Sequence, residues 1–335
     1  MMLRMIALLG LAGFIANVQA QNTTNFPTIG HVDRFEDSLD SLVSKDAKIE
    51  VLCGGFEWAE GPVWVPEDGN KFGGYVLFSD IPNNAVMKWQ EGQGVSVFLK
   101  PAGYTGVTDY GLEPGSNGLA LDAAGQLVSC EHGDRRISVL THGGGKMTLA
   151  DRWNGKRFNS PNDLALRKNG DIFFTDPIYG LPQREQDPRR EIDFCGVYRW
   201  QPNGTVTVQC QSISRPNGIA FSPDQKTLYV ANSDGKDPVW RAFPVLEDGN
   251  LGEPTAFFDS SKDDRIPNGG GDGLKVDSAG NVFATGPGGV LILSPAGKLL
   301  GRIVTGERIA NGAFGANDRI LYLTSDMYLC RVQLR

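Results

Sequence analysis

Histidine and cysteine are both scarce in this sequence: three of the first (His31, His132, His142) and five of the second (Cys53, Cys130, Cys195, Cys210, Cys330) among 335 residues. No cysteines stand in C-x-x-C spacing and no histidines in the spacing of a helical zinc-protease motif, so cysteine zinc clusters, dithiol redox chemistry and that protease class are disfavoured. An odd cysteine count leaves at least one free thiol, and a chain this long needs no disulfide framework to fold. One pairing is nevertheless suggested locally. A hairpin turning at Pro202-Asn203-Gly204 would set Cys195 opposite Cys210 and predicts a cross-strand bridge, unless a one-residue bulge separates them. Basic runs interleaved with aromatics are also missing. With 32 Lys+Arg against 39 Asp+Glu, the net charge of −7 repels a phosphate backbone, which argues against a nucleic-acid partner. Chemistry in this chain has to rest mainly on oxygen ligands.

Long apolar runs are limited to the N-terminus, where Arg4 precedes the stretch Met5 to Ile15 and the small-residue step Val18-Gln19-Ala20. That stretch is short for a membrane span and has the order of a secretory signal. The expected organisation is a signal over 1–20, a lead segment over 21–47 and one domain over 48–335. Cleavage would remove only Arg4 among the charges, leaving 31 basic against 39 acidic residues. The expectation is an acidic protein, periplasmic or secreted, with no membrane attachment once the signal is gone.

Helical periodicity is scarce, while 43 glycines and 19 prolines suit many turns. What recurs is one plan, seen six times: over 59–80, 116–133, 161–177, 216–233, 271–287 and 310–326. A polar residue beside Gly or Pro is followed by a short alternating run, a turn of Asp, Gly or Asn, and a second β-rich run. The polar anchors are Glu60, Asn117, Asn162, Asn217, Asp272 and Asn311, at steps of 57, 45, 55, 55 and 39 residues. Such steps hold four strands each, for example with Val197 to Trp200 and Thr205 to Gln209 as the outer pair of one unit. The last unit runs out of chain after Asp326, and Ile49 to Cys53 could supply its missing strand. The fold class expected is all-β, a six-bladed β-propeller closed by an N-terminal strand, which leaves no long exposed sheet edge.

The innermost strand of a propeller blade lines the central channel, and the next strand returns antiparallel to it. Residues just before the first and just after the second therefore meet at one face. The second set is Asp80, His132, Asp176, Asn232 and Asp326, and both sets are expected to ring one channel mouth. Asn and Asp also serve turns, but six polar anchors in register exceed what turns require. Two carboxylates with several amide oxygens form a cage suited to a hard cation. Ca²⁺ is the first expectation, with Mg²⁺, Mn²⁺ or Zn²⁺ as other occupants.

The segments AEGPVW (59–64), RFNSPNDLAL (157–166), FFTDPIYGL (173–181), RPNGIAFS (215–222) and GGDGLKVD (270–277) together resemble the gluconolactonase family that includes regucalcin, senescence marker protein-30. The likeness runs from about residue 48 to residue 330. It implies a catalytic metal held by Glu60, Asn217 and Asp272, with Asn162 at or near both metal and substrate and Asp163 beside it. The related paraoxonases share this Glu, Asn, Asn, Asp arrangement and add a histidine dyad. His132 matches one member of that dyad, a tentative catalytic residue, and Asn117 stands where the other would be. Arg157 resembles a substrate-contacting arginine, although the segment carrying it is longer here.

The resemblance implies hydrolysis of a sugar lactone, a gluconolactone-like 1,5- or 1,4-lactone, to the aldonic acid. Asp272 is then ligand and general base, while Arg157, Asn162, Asp163 and Asn117 face the substrate. Ser160 lacks a G-x-S-x-G setting, which disfavours a serine nucleophile. The segment 178–194, with Arg184, Arg189 and Arg190, would hang over the mouth as a lid. Two other readings share the fold. An aryl-ester or phosphotriester hydrolase would have a more apolar mouth, and a non-catalytic propeller would bind a sugar or peptide around a structural metal.

Overall fold

The computed structural model describes residues 25–67 and 73–335, so the signal expected over 1–20 lies outside the described residues. Each repeat folds into a four-stranded antiparallel sheet, and six such sheets form the propeller. The first blade is Ala59–Pro66, Gly74–Asp80, Ala85–Gln90 and Gly94–Leu99, and the second is Ser116–Leu121, Leu127–Glu131, Arg136–Leu140 and Lys146–Ala150. The third is Leu164–Leu166, Ile172–Asp176, Gly196–Trp200 and Val206–Cys210, and the fourth is Pro216–Phe221, Thr227–Asn232, Val239–Pro244 and Thr255–Asp259. The fifth is Leu274–Val276, Val282–Gly286, Gly289–Leu293 and Leu299–Val304. The sixth takes Ile309–Gly315, Ile320–Ser325 and Tyr328–Gln333 from the C-terminal end of the chain, and Ile49–Gly54 pairs antiparallel to the last of these as its fourth strand.

The chain ahead of that closing strand also joins two sheets. Thr28–Ile29 adds to the outer edge of the sixth blade and His31–Arg34 to that of the fifth, with Gly30 turning between them. A side chain at Gly30 would sit 1.8 Å from Val304 O, so only glycine passes there. The junction is also charged. Arg302 donates to Asp33 from Nε at 3.0 Å and from the guanidinium terminus at 2.7 Å.

Packing follows from the alternation. Inner and outer faces of each twisted blade both meet a neighbour, and the larger apolar clusters fall one to each interface between adjacent blades. Tyr198, Phe158 and Phe174 fill the second interface, Trp240 the fourth, and Phe78 with Trp89 the seam between sixth and first blades. Burial of each such ring is worth roughly 1.5–3 kcal/mol, so blade docking needs no covalent bridge. Cys195 and Cys210 are in fact free thiols. A bulge between Val197 and Tyr198 pairs Cys210 with Val197, which takes it out of register with Cys195. The register is already one step off beside the turn, where Trp200 pairs with Val206, and the bulge adds a second step.

Candidate functional site

The anchors reach the channel because each stands at an irregularity. Pairing shifts register right at Glu60, Asn117, Asn217 and Asn311, and a bulge turns a side chain out of the sheet plane. In the third and fifth blades the same step is made just before the inner strand, where Asn162 N donates to Thr175 O at 2.8 Å and Asp272 N to Thr285 O at 2.9 Å. Five anchors are followed by glycine, and at four of them (Gly61, Gly118, Gly218 and Gly273) the reason is crowding against the neighbouring blade. A Cβ on Gly218 would stand 2.4 Å from Asp272 O, and Gly218 N donates to that same oxygen at 3.0 Å. Hydroxyls complete the lacing: Ser79 donates to Asn117 O at 2.8 Å and Thr175 to Asn217 O at 2.7 Å.

The result is a cavity of about 640 Å³ on the channel axis, with Glu60, Asn117, Asn162, Asn217 and Asp272 in its wall. Its rim includes Trp58, Glu113, Tyr179, Arg184, Ser233 and Arg308. The amide oxygens of Asn117, Asn162 and Asn217 are buried and have no hydrogen-bond partner within the protein. Buried polar atoms in folded proteins are as a rule paired, and these three, unlike the other unpaired ones among the described residues, belong to side chains in the wall of one cavity, which points to a ligand that accepts their lone pairs. Burial, then repulsion from Asp272 and Asp163, holds the Glu60 carboxyl well above the usual range, with its own Gly61 N–H pulling the other way. Burial likewise pushes Asp272 up to about 7; Arg308 opposes this, Asp163 and Glu113 add to it, and a bond from Asn217 offsets part of it. A cation would relieve both carboxylates and all three oxygens together. Among the described residues no three His, Cys, Asp or Glu side chains cluster as a metal site, so such a cation would rest on two carboxylates plus amides.

Not every expected residue arrives. Asn311 and Asp163 turn below the cavity: Asn311 Nδ2 donates to Asp163 Oδ2 at 3.1 Å, and Lys275 Nζ bonds Asn311 Oδ1 at 2.9 Å while lying 3.5 Å from Asp163 Oδ2. Asp163 occupies the step where the other anchors have glycine, and its carboxylate is engaged by Asn311 and Lys275 and does not line the cavity. Arg157 lies in a different cavity with Tyr104, Arg135 and Asp151, where its guanidinium donates to Asp134 O and sits 3.8 Å from Asp151. The longer R-F-N-S-P-N segment carries it away from the site, which corrects its assignment as a substrate contact.

The second set is mostly turned aside as well. Asp176 accepts from Asn159 N and Ser160 N, each at 2.8 Å, Asp80 accepts from Glu57 N at 3.2 Å, and Asn232 from Arg215 N at 3.0 Å. These side chains clasp the loops that deliver the anchors, and they do not ring the mouth. His132 alone of that set reaches an anchor. It is wholly buried, with Nε2 3.4 Å from Asn117 Nδ2 and Nδ1 3.4 Å from Glu113 Oε2.

The segment 178–194 packs down over the third blade: Ile178 and Leu181 are buried with Cys195, and Gly180 N donates to Ser160 Oγ at 3.0 Å. It brings Tyr179 and Arg184 to the rim. Tyr179 OH and Ser233 Oγ are 2.6 Å apart, and Arg184 lies 3.4 Å from Glu113. Arg308 stacks over Trp58 at 5.5 Å. Of these rim residues only Ser233 stands in the repeat, at the end of its fourth unit, while Tyr179 falls in the motif 173–181 and Arg184 in the arginine-rich run that follows.

Residues 58–327 match the model of the SMP-30/gluconolactonase/LRE-like region. A gluconolactonase of Zymomonas mobilis is 36% identical over 325 residues, covering 94% of this chain and 89% of that protein. A pentonolactonase of Haloferax volcanii is 31% identical over 271 residues, covering 79% and 80%. Among solved structures, a gluconolactonase of Xanthomonas campestris superposes with a TM-score of 0.77 at 31% identity, over 92% of this chain and 98% of that one. The calcium-binding regucalcin of Agrobacterium tumefaciens, at 18% identity and a TM-score of 0.65 over 92% and 95%, shares the fold.

Proposed function

This chain belongs to the SMP-30/gluconolactonase/LRE-like family and is a sugar lactone hydrolase, and from that premise we propose that it opens a 1,5- or 1,4-aldonolactone with the help of one hard divalent cation. The observation that carries the cation is the set of three unpartnered amide oxygens facing one cavity with Glu60 and Asp272. Glu60, Asn162, Asn217 and Asp272 would hold it. An all-oxygen, two-carboxylate set suits Ca²⁺, and Mg²⁺ or Mn²⁺ next. When bound, the cation supplies Lewis-acid polarisation of the lactone carbonyl and compensation of the charge that develops on its oxygen.

The remaining work falls to the chain's own groups. Asp272 takes a proton from the attacking water as its oxygen bonds to the acyl carbon. The same carboxyl then delivers that proton to the ring oxygen as the acyl C–O bond breaks, leaving the open aldonic acid. A carboxyl buried in the cavity wall beside the lactone can serve both halves of that exchange. The rim of Glu113, Tyr179, Arg184, Ser233 and Arg308 offers donors and acceptors to a polyol. That polar mouth favours a hydroxylated lactone over an aryl ester or phosphotriester. Export through the N-terminal segment is part of the same reading and would place the enzyme where sugars are oxidised outside the cytoplasm.

The test is a panel of aldono-1,5-lactones, aldono-1,4-lactones and an aryl ester, run on chelated and on Ca²⁺-restored protein. Turnover of aldonolactones that vanishes on chelation and returns with Ca²⁺ supports the reading. Full activity in protein shown by elemental analysis to be metal-free overturns it.

A further inference from the structure

His132 is locked from every side. A Cβ on Gly180 would lie 2.4 Å from its ring, so the imidazole stacks directly on glycine backbone. Tyr110 OH donates to Gly180 O at 2.8 Å and reaches His132 O at 3.2 Å, which ties that backbone to the ring's own. The ring is wholly buried and has no face open to the cavity. Each of its nitrogens faces one group: Nδ1 lies 3.4 Å from the Glu113 carboxylate without a formed hydrogen bond, and Nε2 lies 3.4 Å from the Asn117 amide. A base that took a proton from cavity water would need a nitrogen facing it, and His132 does not line the cavity.

The two contacts nevertheless carry information across the ring. A carboxylate beside Nδ1 disfavours a lone pair on that nitrogen, so the proton belongs on Nδ1. Nε2 then holds the lone pair, and the Asn117 NH₂, not its oxygen, must face it. The amide oxygen is thereby turned to the opposite side, into the cavity, where it has no partner in the protein. With the flip reversed, an amide N–H pair would point toward a cation and an oxygen toward a lone pair.

We propose that Glu113 and His132 are positioning residues that fix the Asn117 amide with its oxygen toward the cation of the site. The assignment rests on the cation-assisted reading above. It gives His132 a role different from the catalytic one first expected, and it brings in Glu113, held in place by Arg184 from the 178–194 segment. Changing groups behind a ligand costs about 10- to 100-fold in metal affinity.

The experiment uses the full chain with Ca²⁺. Nitrogen-15 shifts of the His132 ring in the wild type report which nitrogen carries the proton, and calorimetric Ca²⁺ titration reads affinity in Glu113→Leu, Glu113→Gln and His132→Phe, with melts confirming folding. The expectation is an unprotonated Nε2 in the wild type. Ca²⁺ affinity should fall about tenfold or more in Glu113→Leu and His132→Phe and stay within a few-fold of wild type in Glu113→Gln, which keeps an acceptor at Nδ1 without the charge. A protonated Nε2 overturns the proposal, as does Glu113→Gln binding as weakly as Glu113→Leu, since charge alone would then be the cause. A wild type that fails to bind Ca²⁺ at all sinks the cation reading instead, and the nitrogen shifts still decide the tautomer.

Discussion

Asn311 and Asp163, 148 positions apart in the chain, meet beneath the channel cavity with Nδ2 donating to Oδ2 at 3.1 Å. The sixth anchor is thus committed to a carboxylate that underlies the site and is withdrawn from the site itself. Asn311→Ala should lower stability by about 1.5–3 kcal/mol, the scale of a lost hydrogen bond to a buried charge, while kcat on an aldonolactone stays within a few-fold. Thermal melts and steady-state kinetics on the same preparation check both halves. A variant with unchanged melting but lost turnover would put Asn311 in the site after all.

Gly218 has no room for a side chain against Asp272 O, where a Cβ would approach to 2.4 Å. Gly218→Ala should therefore push apart the segments that bear Asn217 and Asp272, at a stability cost of about 1–3 kcal/mol. An ångström of misplacement at the reacting groups costs about a hundredfold in rate, so turnover should suffer more than folding. Melting and kcat measured together would contradict this if activity survived in step with stability.

Arg157 and Arg184 separate two readings of the arginines. Arg184→Ala should raise KM about tenfold or more, the scale of a lost charge-assisted contact. Arg157→Ala should leave KM near wild type, because its guanidinium is spent on Asp134 and Asp151 in another cavity. The reverse pattern in a KM comparison would restore Arg157 to the substrate.

The site carboxyls also give stability a pH signature. Asp272 is raised to about 7 and Glu60 is raised well above its usual value in the folded, cation-free protein. The native state then holds more protons than the unfolded chain, so stability is highest below the unfolded carboxyl values and is lost as pH rises through about 7. A bound cation replaces those protons and removes the loss. The gap in melting temperature between Ca²⁺-loaded and chelated protein should widen from pH 5 to pH 8. A gap that narrows over that range would contradict the assignment.

The architecture was legible because repetition is a sequence property: six anchors in register imply six blades whatever the local propensities. Glu60, Asn162, Asn217 and Asp272 converge for the same reason. Arg157 misled because the segment between it and Asn162 is longer, and its side chain comes to line a neighbouring cavity. Asp80, Asp176 and Asn232 lie on the expected face, but spacing does not report which backbone N–H groups claim their oxygens. Cys195 and Cys210 are separated by two register steps, one set at the turn and one by a bulge, and spacing reports neither. Glu113 and Tyr179 come from loops outside the repeat, where no period could point to them. A signal that was present and unused is the small hydroxyl at Ser79, Thr175, Thr285 and Thr324, one step before the end of the second strand in four blades. Three of these lace a neighbouring blade's anchor segment into place.

Asp272→Asn tests the mechanism most directly, because the replacement is nearly isosteric and keeps an oxygen for the cation while removing the proton acceptor. The measurement is kcat on an aldonolactone at saturating Ca²⁺, with bound metal quantified and melting recorded. The folded, metal-loaded variant should lose on the order of 10²- to 10⁴-fold in kcat, the usual contribution of a general base. Turnover within a few-fold of wild type under those conditions would show that Asp272 carries no proton and would contradict the account.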